Sequence, residues 1–436
     1  MTAEIAVFNR TAIALAADSA VTMSLGTNQK IYNNAEKLFQ LSKSYPVGIM
    51  IYNDAQLTGA PWELVIKAYR INFESQNELE LDTITDYAES FFGFISNEQS
   101  IFTQNLQNEY FEYVFRSLVL HPLMKLVQDI DIAQVLQTQA TDVSIDYFHE
   151  KLYERVTAQI EWANSKDYYD NFSQLDLNNA RAYCDGFILP IISQLIPPNM
   201  ETGLYPDKLL SSIGELFSLT ICKQMDLDSY TGLVIAGYGK TQFYPDLKAY
   251  KIYGIFFGKV MKVLDEGKCK GDQPYSAIIP FAQEDEVHTF IQGASKQILS
   301  YHVDLYDESF NLMKIAITNE LTSQDISISS EQIHEVLDRH HEEFLTYFGA
   351  KRSEYLSLNY IQKVTAMLSS LAKVDLAYMA ESLVNLTAFK RKVSYDSDTV
   401  GGPIDVAVIS KGDGFIWIKR KHYFQKELNA HYFKKY

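Results

Sequence analysis

Thr2-Ala-Glu-Ile-Ala-Val-Phe-Asn-Arg-Thr-Ala-Ile-Ala-Leu-Ala-Ala-Asp18 opens the chain with two apolar runs and a short polar break. Ile5 to Phe8 forms the first run and Thr11 to Ala17 the second, with Asn9-Arg10 between them. A two-residue polar break between such runs suits a tight hairpin. The runs are nearly continuous rather than alternating, which predicts strands covered on both faces. Threonine at position 2 adds chemistry to this geometry. Removal of Met1 makes Thr2 a free terminus, placing a hydroxyl nucleophile and an α-amine base on one residue.

Outward from this hairpin, Val21 to Lys30 reads as a polar loop. Lys37 to Leu41 reads as a short strand, and Val47 to Tyr52 as another apolar strand ending at Asn53-Asp54. Pro61 then stands where proline favours a helix start. Trp62, Val65, Ile66 and Tyr69 follow at the spacing of one helical face. Helical patterns continue over 84–97, 102–129, 143–165, 172–196 and 206–225. Strands are expected again at Gly232–Ala236, Leu247–Tyr253 and Val287–Ile291. Helices are expected from Ser295 to Leu321, over 330–367 and around Leu376 to Leu386. Ile404–Ile409 and Gly414–Lys419 close the pattern as a hairpin through an Asp-Gly turn. The expected class is α+β, with two antiparallel sheets stacked face to face and flanked by helices.

Composition narrows the function classes. The 436 residues are 47% hydrophobic and 21% charged, enough for a sizeable core. A net charge of −17 argues against non-specific nucleic-acid binding. Cys184, Cys222 and Cys269 are widely spaced and odd in number, which predicts neither a disulfide framework nor a zinc knuckle. No apolar run reaches transmembrane length and no signal peptide is evident, so a cytoplasmic protein is expected.

Several motifs have ordinary readings. Gly237-Tyr-Gly-Lys240-Thr241 looks like the end of a phosphate loop, but Val234 stands where that motif needs its first glycine. His334, Asp338 and His341 share a helical face without the His-Glu-x-x-His pattern, and a solvated face is expected. Lys419-Arg-Lys421 and Lys434-Lys435, with Tyr423, Phe424, Tyr432 and Phe433 between, form a basic tail expected to dock on an acidic protein surface.

Taken in order, Thr2, Asp18-Ser19, Glu36-Lys37-Leu-Phe-Gln-Leu41, Leu233 to Gly237 and Val400-Gly-Gly-Pro-Ile-Asp-Val-Ala-Val-Ile409 resemble the proteasome β-subunit family of N-terminal nucleophile hydrolases. The resemblance covers roughly residues 2–75, 230–320 and 370–420. It implies a four-layer αββα sandwich built from residues 1–75 and 230–436. Residues 76–229 would be a helical insertion and 322–368 an extra helical segment. By the same resemblance Thr2 would be the nucleophile, Lys37 would lower its hydroxyl pKa and Asp18 would orient Lys37. Where the family has oxyanion glycines this chain has Tyr52-Asn53. Its supporting turn is matched by Gly293-Ala294-Ser295, and its aspartate and serine near the last hairpin by Asp396, Asp398 and Thr399.

The implied activity is cleavage of a peptide or amide bond through an acyl-enzyme, with no cofactor or metal, in a homo-oligomer, conceivably a ring. A catalytically silent scaffold of the same fold and an amidase for small amides are the alternatives.

Overall fold

The computed structural model describes residues 3–25, 28–75, 80–120, 142–186, 207–227, 229–271, 275–323, 329–394 and 400–430. The first strands are β1 (Glu4–Phe8), β2 (Ile13–Ala17), β3 (Val21–Leu25), β4 (Asn28–Tyr32), β5 (Leu38–Gln40), β6 (Val47–Tyr52), β7 (Gln56–Leu57) and β8 (Ala60–Pro61). Among the described residues, α-helices follow as α1 (Trp62–Ser75), α2 (Ile84–Asn97), α3 (Gln104–Val114), α4 (Asp142–Asn164), α5 (Gln174–Asp185) and α6 (Asp207–Cys222). Next come β9 (Thr231–Gly237), β10 (Asp246–Phe256), β11 (Lys259–Leu264) and β12 (Ala277–Ala282). The rest is α7 (Glu284–Gln292), α8 (Lys296–Ser323), α9 (Ser330–Leu356), α10 (Gln362–Leu368), α11 (Lys373–Val393), β13 (Asp405–Ser410) and β14 (Gly414–Lys419).

The class is α+β with antiparallel sheets. One five-stranded sheet runs β12-β1-β2-β13-β14 and the other β11-β10-β9-β6-β5. Every residue of β1, β2, β6, β9 and β13 is buried, as their near-continuous apolar runs require. Alternate residues divide the two faces. Ala6, Phe8, Ile13 and Leu15 of the first sheet join Leu38, Met50, Val234 and Ala249 of the second in one apolar cluster. Ile5, Val7, Ala14 and Val406 point the other way, onto Leu376, Ala380, Leu383 and Val384 of α11. Ile49, Ile51, Leu233 and Ile235 of the second sheet pack on Trp62, Val65 and Tyr69 of α1 and on Tyr87 and Phe91 of α2. Although α2 falls within the stretch read as an insertion, it therefore covers a sheet. Helices α3 to α6 form a further cluster that meets the second sheet at Tyr253, Phe256 and Met261.

Some elements differ from expectation. Val287–Ile291 is helical, within α7. Its β-branched residues favour a strand, but Glu284, Asp285 and Glu286 occupy the first turn and Gly293 ends the helix at φ 73°. Acidic residues at the N-terminus and a left-handed glycine at the C-terminus are strong helix boundaries. Val21 to Lys30 is not a loop, because β3 and β4 pair there as a polar hairpin. The β1–β2 connection spans four residues rather than two, and the Asn9 side chain accepts from the Thr11 and Ala12 N–H groups.

Candidate functional site

Hydrogen bonding across the end of the β1–β2 hairpin sets the site. The Asp18 N–H donates to the Ala3 carbonyl at 3.1 Å, and the Ala3 N–H donates back to Asp18 Oδ1 at 3.3 Å. The second carboxylate oxygen of Asp18 accepts from the Gly401 N–H at 2.9 Å. Ser19 continues the contact, its N–H to the Gly401 carbonyl at 3.1 Å and its hydroxyl to that of Pro403. The Gly401-Gly402 pair has a steric reason. Gly402 has φ 78°, and a Cβ there would lie 2.9 Å from the Asn33 Cβ and 3.3 Å from the Ser19 Cβ. Only glycine takes both the conformation and the space.

Lys37 reaches this corner from the other sheet. It stands immediately before β5, its carbonyl accepting from the Ile51 N–H at 2.9 Å. Its Nζ lies 2.5 Å from Asp18 Oδ1 and 3.3 Å from Glu4 Oε1. Lys37 is 2% exposed, and Asp18 and Glu4 are fully buried. The ion pair therefore ties the two sheets together at the end where the chain enters β1. Two neighbouring lysines lie elsewhere. Lys43 pairs with Glu74 at 3.7 Å, and Lys30 is an exposed residue of β4.

Glu4 was not singled out in the sequence. Its signal is the inward alternation of β1, which puts Glu4 on the same side as Ala6 and Phe8. Opposite it, the pairing with β12 shifts between Glu4 and Ile5, leaving Phe281 as a bulge. Bulges commonly re-aim side chains beside functional sites. Here the Phe281 ring lies 5.5 Å from that of Tyr52.

Tyr52, matched to the oxyanion position by the resemblance, closes β6. Its side chain enters the space between the sheets, with Tyr230 edge-on at 6.3 Å and Lys268 Nζ 5.4 Å above the ring. Gly232 on β9 makes room for it, since a Cβ there would sit 2.1 Å from the ring. The Tyr52 hydroxyl is buried and has no hydrogen-bond partner among the described residues. Burial, reinforced by Tyr230, Asp265, Glu284 and Glu4, pushes the phenol far above its ordinary value of 10.0. It stays neutral at every working pH. Asn53 is exposed at φ 67° and its side chain makes no hydrogen bond among the described residues.

Ser295 caps α8 by accepting from the Ile298 N–H at 3.2 Å, and no contact of the described residues joins it to Asp18 or Lys37. Thr2, Asp396, Asp398 and Thr399 lie outside the described residues, as do Tyr432, Phe433, Lys434 and Lys435.

The remaining motifs are engaged structurally. The Lys240 and Thr241 N–H groups donate to the Leu81 and Asp82 carbonyls, so this turn presents no amide cradle to a phosphate. Asp338 pairs with Lys314 at 2.5 Å, and His341 with Asp307 at 2.9 Å, across the α8–α9 hairpin. Lys419, Arg420 and Lys421 dock on Glu381, Glu36 and Asp405 of the chain itself. The three cysteines are free thiols, and burial pushes those of Cys184 and Cys222 up to about 12. Among the described residues no helix is long and apolar enough to cross a membrane.

No protein-family model matches the sequence, and no curated protein matches it.

Proposed function

We propose that the chain is an N-terminal threonine hydrolase of the proteasome β-like type, cleaving an amide bond through an acyl-enzyme on Thr2. Its two sheets and their helices are then the four-layer αββα sandwich of N-terminal nucleophile hydrolases. The observation that carries the reading is the buried Lys37–Asp18 ion pair, 2.5 Å long, beside the Ala3 N–H at the mouth of β1. Thr2 is bonded directly to that nitrogen. A buried ammonium costs several kcal/mol in desolvation and persists only with close partners. Spending that energy at the first residue of a strand suits an electrostatic role more than a packing role.

The chemistry runs in two halves. After Met1 is removed, the Thr2 α-amine takes the hydroxyl proton as the oxygen attacks the substrate carbonyl. The Lys37 ammonium lowers the energy of the developing alkoxide, and Asp18 holds Lys37 in place. Collapse of the tetrahedral adduct transfers the proton to the leaving amine and leaves an ester on Thr2. Water, deprotonated by the same α-amine, then releases the acid. Helices α3 to α6 frame access to this corner or form a subunit interface, and the working unit is a homo-oligomer.

The test combines intact mass with labelling. Loss of the Met1 mass and modification by an electrophile directed at N-terminal threonine are expected; T2A, whose small second residue still allows Met1 removal, loses the modification. Retention of Met1 in the purified protein rules the reading out.

A second reading, a silent scaffold of the same fold, is favoured by two observations. Glu4 sits 3.3 Å from the Lys37 ammonium and competes for its charge. Tyr52 fills the space between the sheets next to Glu4. Labelling failure in protein lacking Met1 favours this second reading.

A further inference from the structure

A separate cavity of about 320 Å³ opens between the β7 turn, β10 and α3. Four tyrosines line it, Tyr110, Tyr113, Tyr230 and Tyr253, together with the carboxylates of Asp54 and Glu109. No lysine, arginine or histidine is among the lining residues, and no cation pairs with Asp54 or Glu109 among the described residues. The Lys251 ammonium lies 5.2 Å from the Tyr230 ring and 3.0 Å from Asp226, which neutralises it.

The walls are held in position. Tyr110 donates its hydroxyl to the Tyr253 carbonyl, and Gly254 lets it approach, since a Cβ there would lie 2.5 Å from the Tyr110 ring. Thr58, at φ 48°, accepts from the Ile255 N–H at 3.0 Å. The Asp54 carbonyl accepts from the Thr231 hydroxyl at 2.9 Å, and Thr231 in turn accepts from the Trp62 indole at 2.8 Å. Asp54 is exposed by surface area, yet the walls desolvate its carboxyl enough to raise it above the usual 3.8. A carboxylate lacking a protein cation gains most from a cationic ligand. Tyrosine faces attract the same charge.

We infer that this cavity binds an alkylammonium or guanidinium group, the cation seated against Asp54, Glu109 and the face of Tyr113, and its aliphatic stem among Tyr110, Tyr230 and Tyr253. The inference stands independently of Thr2 chemistry, because binding is read without turnover.

Isothermal calorimetry of the full chain with Nα-acetyl-lysine amide, Nα-acetyl-arginine amide and Nα-acetyl-norleucine amide tests it. Saturable binding of at least one cationic amide is expected, with the neutral norleucine amide about tenfold weaker or more, the scale of a charge-assisted contact. Asp54→Asn keeps the side-chain acceptor for the Gln56 N–H, yet is expected to lose about tenfold in affinity at an unchanged thermal midpoint. Tyr113→Leu, at an exposed position, is expected to lose about threefold, as a cation–π contact predicts. Equal binding of all three amides, no saturable binding of any, or full affinity in both variants overturns the inference. Should Asp54→Asn lower the thermal midpoint, the Tyr113→Leu result decides alone.

Discussion

Lys37 carries two opposing demands. It must be buried to influence the start of β1, and burial makes it costly without its carboxylates. Lys37→Met leaves Asp18 and Glu4 facing one another without a cation. Removing one partner of a buried pair costs about 3–5 kcal/mol, and urea denaturation should read a loss of that order. Because this variant loses both stability and any activity, it cannot by itself assign chemistry; T2A, which leaves the pair intact, can. Tyr52 makes the opposite prediction. Its buried hydroxyl lacks a partner among the described residues, so Tyr52→Phe removes a desolvated polar group and keeps the ring. The thermal midpoint should stay constant or rise, since deleting an unpaired buried group costs no hydrogen bond. A fall of several degrees would mean that the hydroxyl has a partner after all. At Gly402, alanine meets both a left-handed φ and the Asn33 side chain. A loss of about 1–3 kcal/mol is expected by the same denaturation measurement.

Single elements show which sequence signals were readable. Helix α2 coincides with its expected span, and its Thr83–Asp86 capping box explains why the boundary was sharp. Thr83→Ala should cost about 1 kcal/mol in chemical denaturation. β1, β2 and β13 were legible because both faces are covered and their apolar runs are unbroken, and β14, with Ile416 and Ile418 exposed, was legible from the Asp-Gly turn that precedes it. The edge strands β11 and β12 were not. β12 contains Pro280, which a central strand would not tolerate but an edge does. β11 interleaves Lys259 and Lys262 among its apolar residues and also lies at an edge, where charge protects against unwanted pairing. In the candidate site, Asp18 and Lys37 could be found from their order along the chain. Glu4 could not, since a glutamate next to the terminus looks solvated until the pairing of β1 with β12 and β2 buries it.

The whole molecule carries its pH dependence partly in a link between the sheet and α7. Burial alone would raise the Glu284 carboxyl, but hydrogen bonds from His288 and Lys268 more than offset it and hold it below the usual 4.5. A depressed native value means the unfolded chain binds the proton first. The stabilisation is therefore complete above about 4.5 and is lost as the pH falls through the lower native value. Urea midpoints measured from pH 6 to pH 3 should fall across that window, and Lys268→Met should flatten the decline. The Lys268 ammonium also donates to the Phe281 carbonyl at 3.0 Å and lies over the Tyr52 ring, so the variant reports on the same region as the candidate site.

The bond from Gly401 to Asp18 spans 383 residues of chain. On a ribosome adding about 5–20 residues per second, its two ends emerge about 20–80 s apart. Throughout that interval β2 lacks its β13 neighbour, and Asp18 lacks the amide that fixes its second oxygen. The corner around Asp18 therefore closes only after Gly401 has been made. The same delay leaves an apolar hairpin with an unpaired edge, a natural client for a chaperone that binds nascent chains. Synthesis order thereby makes the corner around Asp18 one of the last features of the fold to be completed.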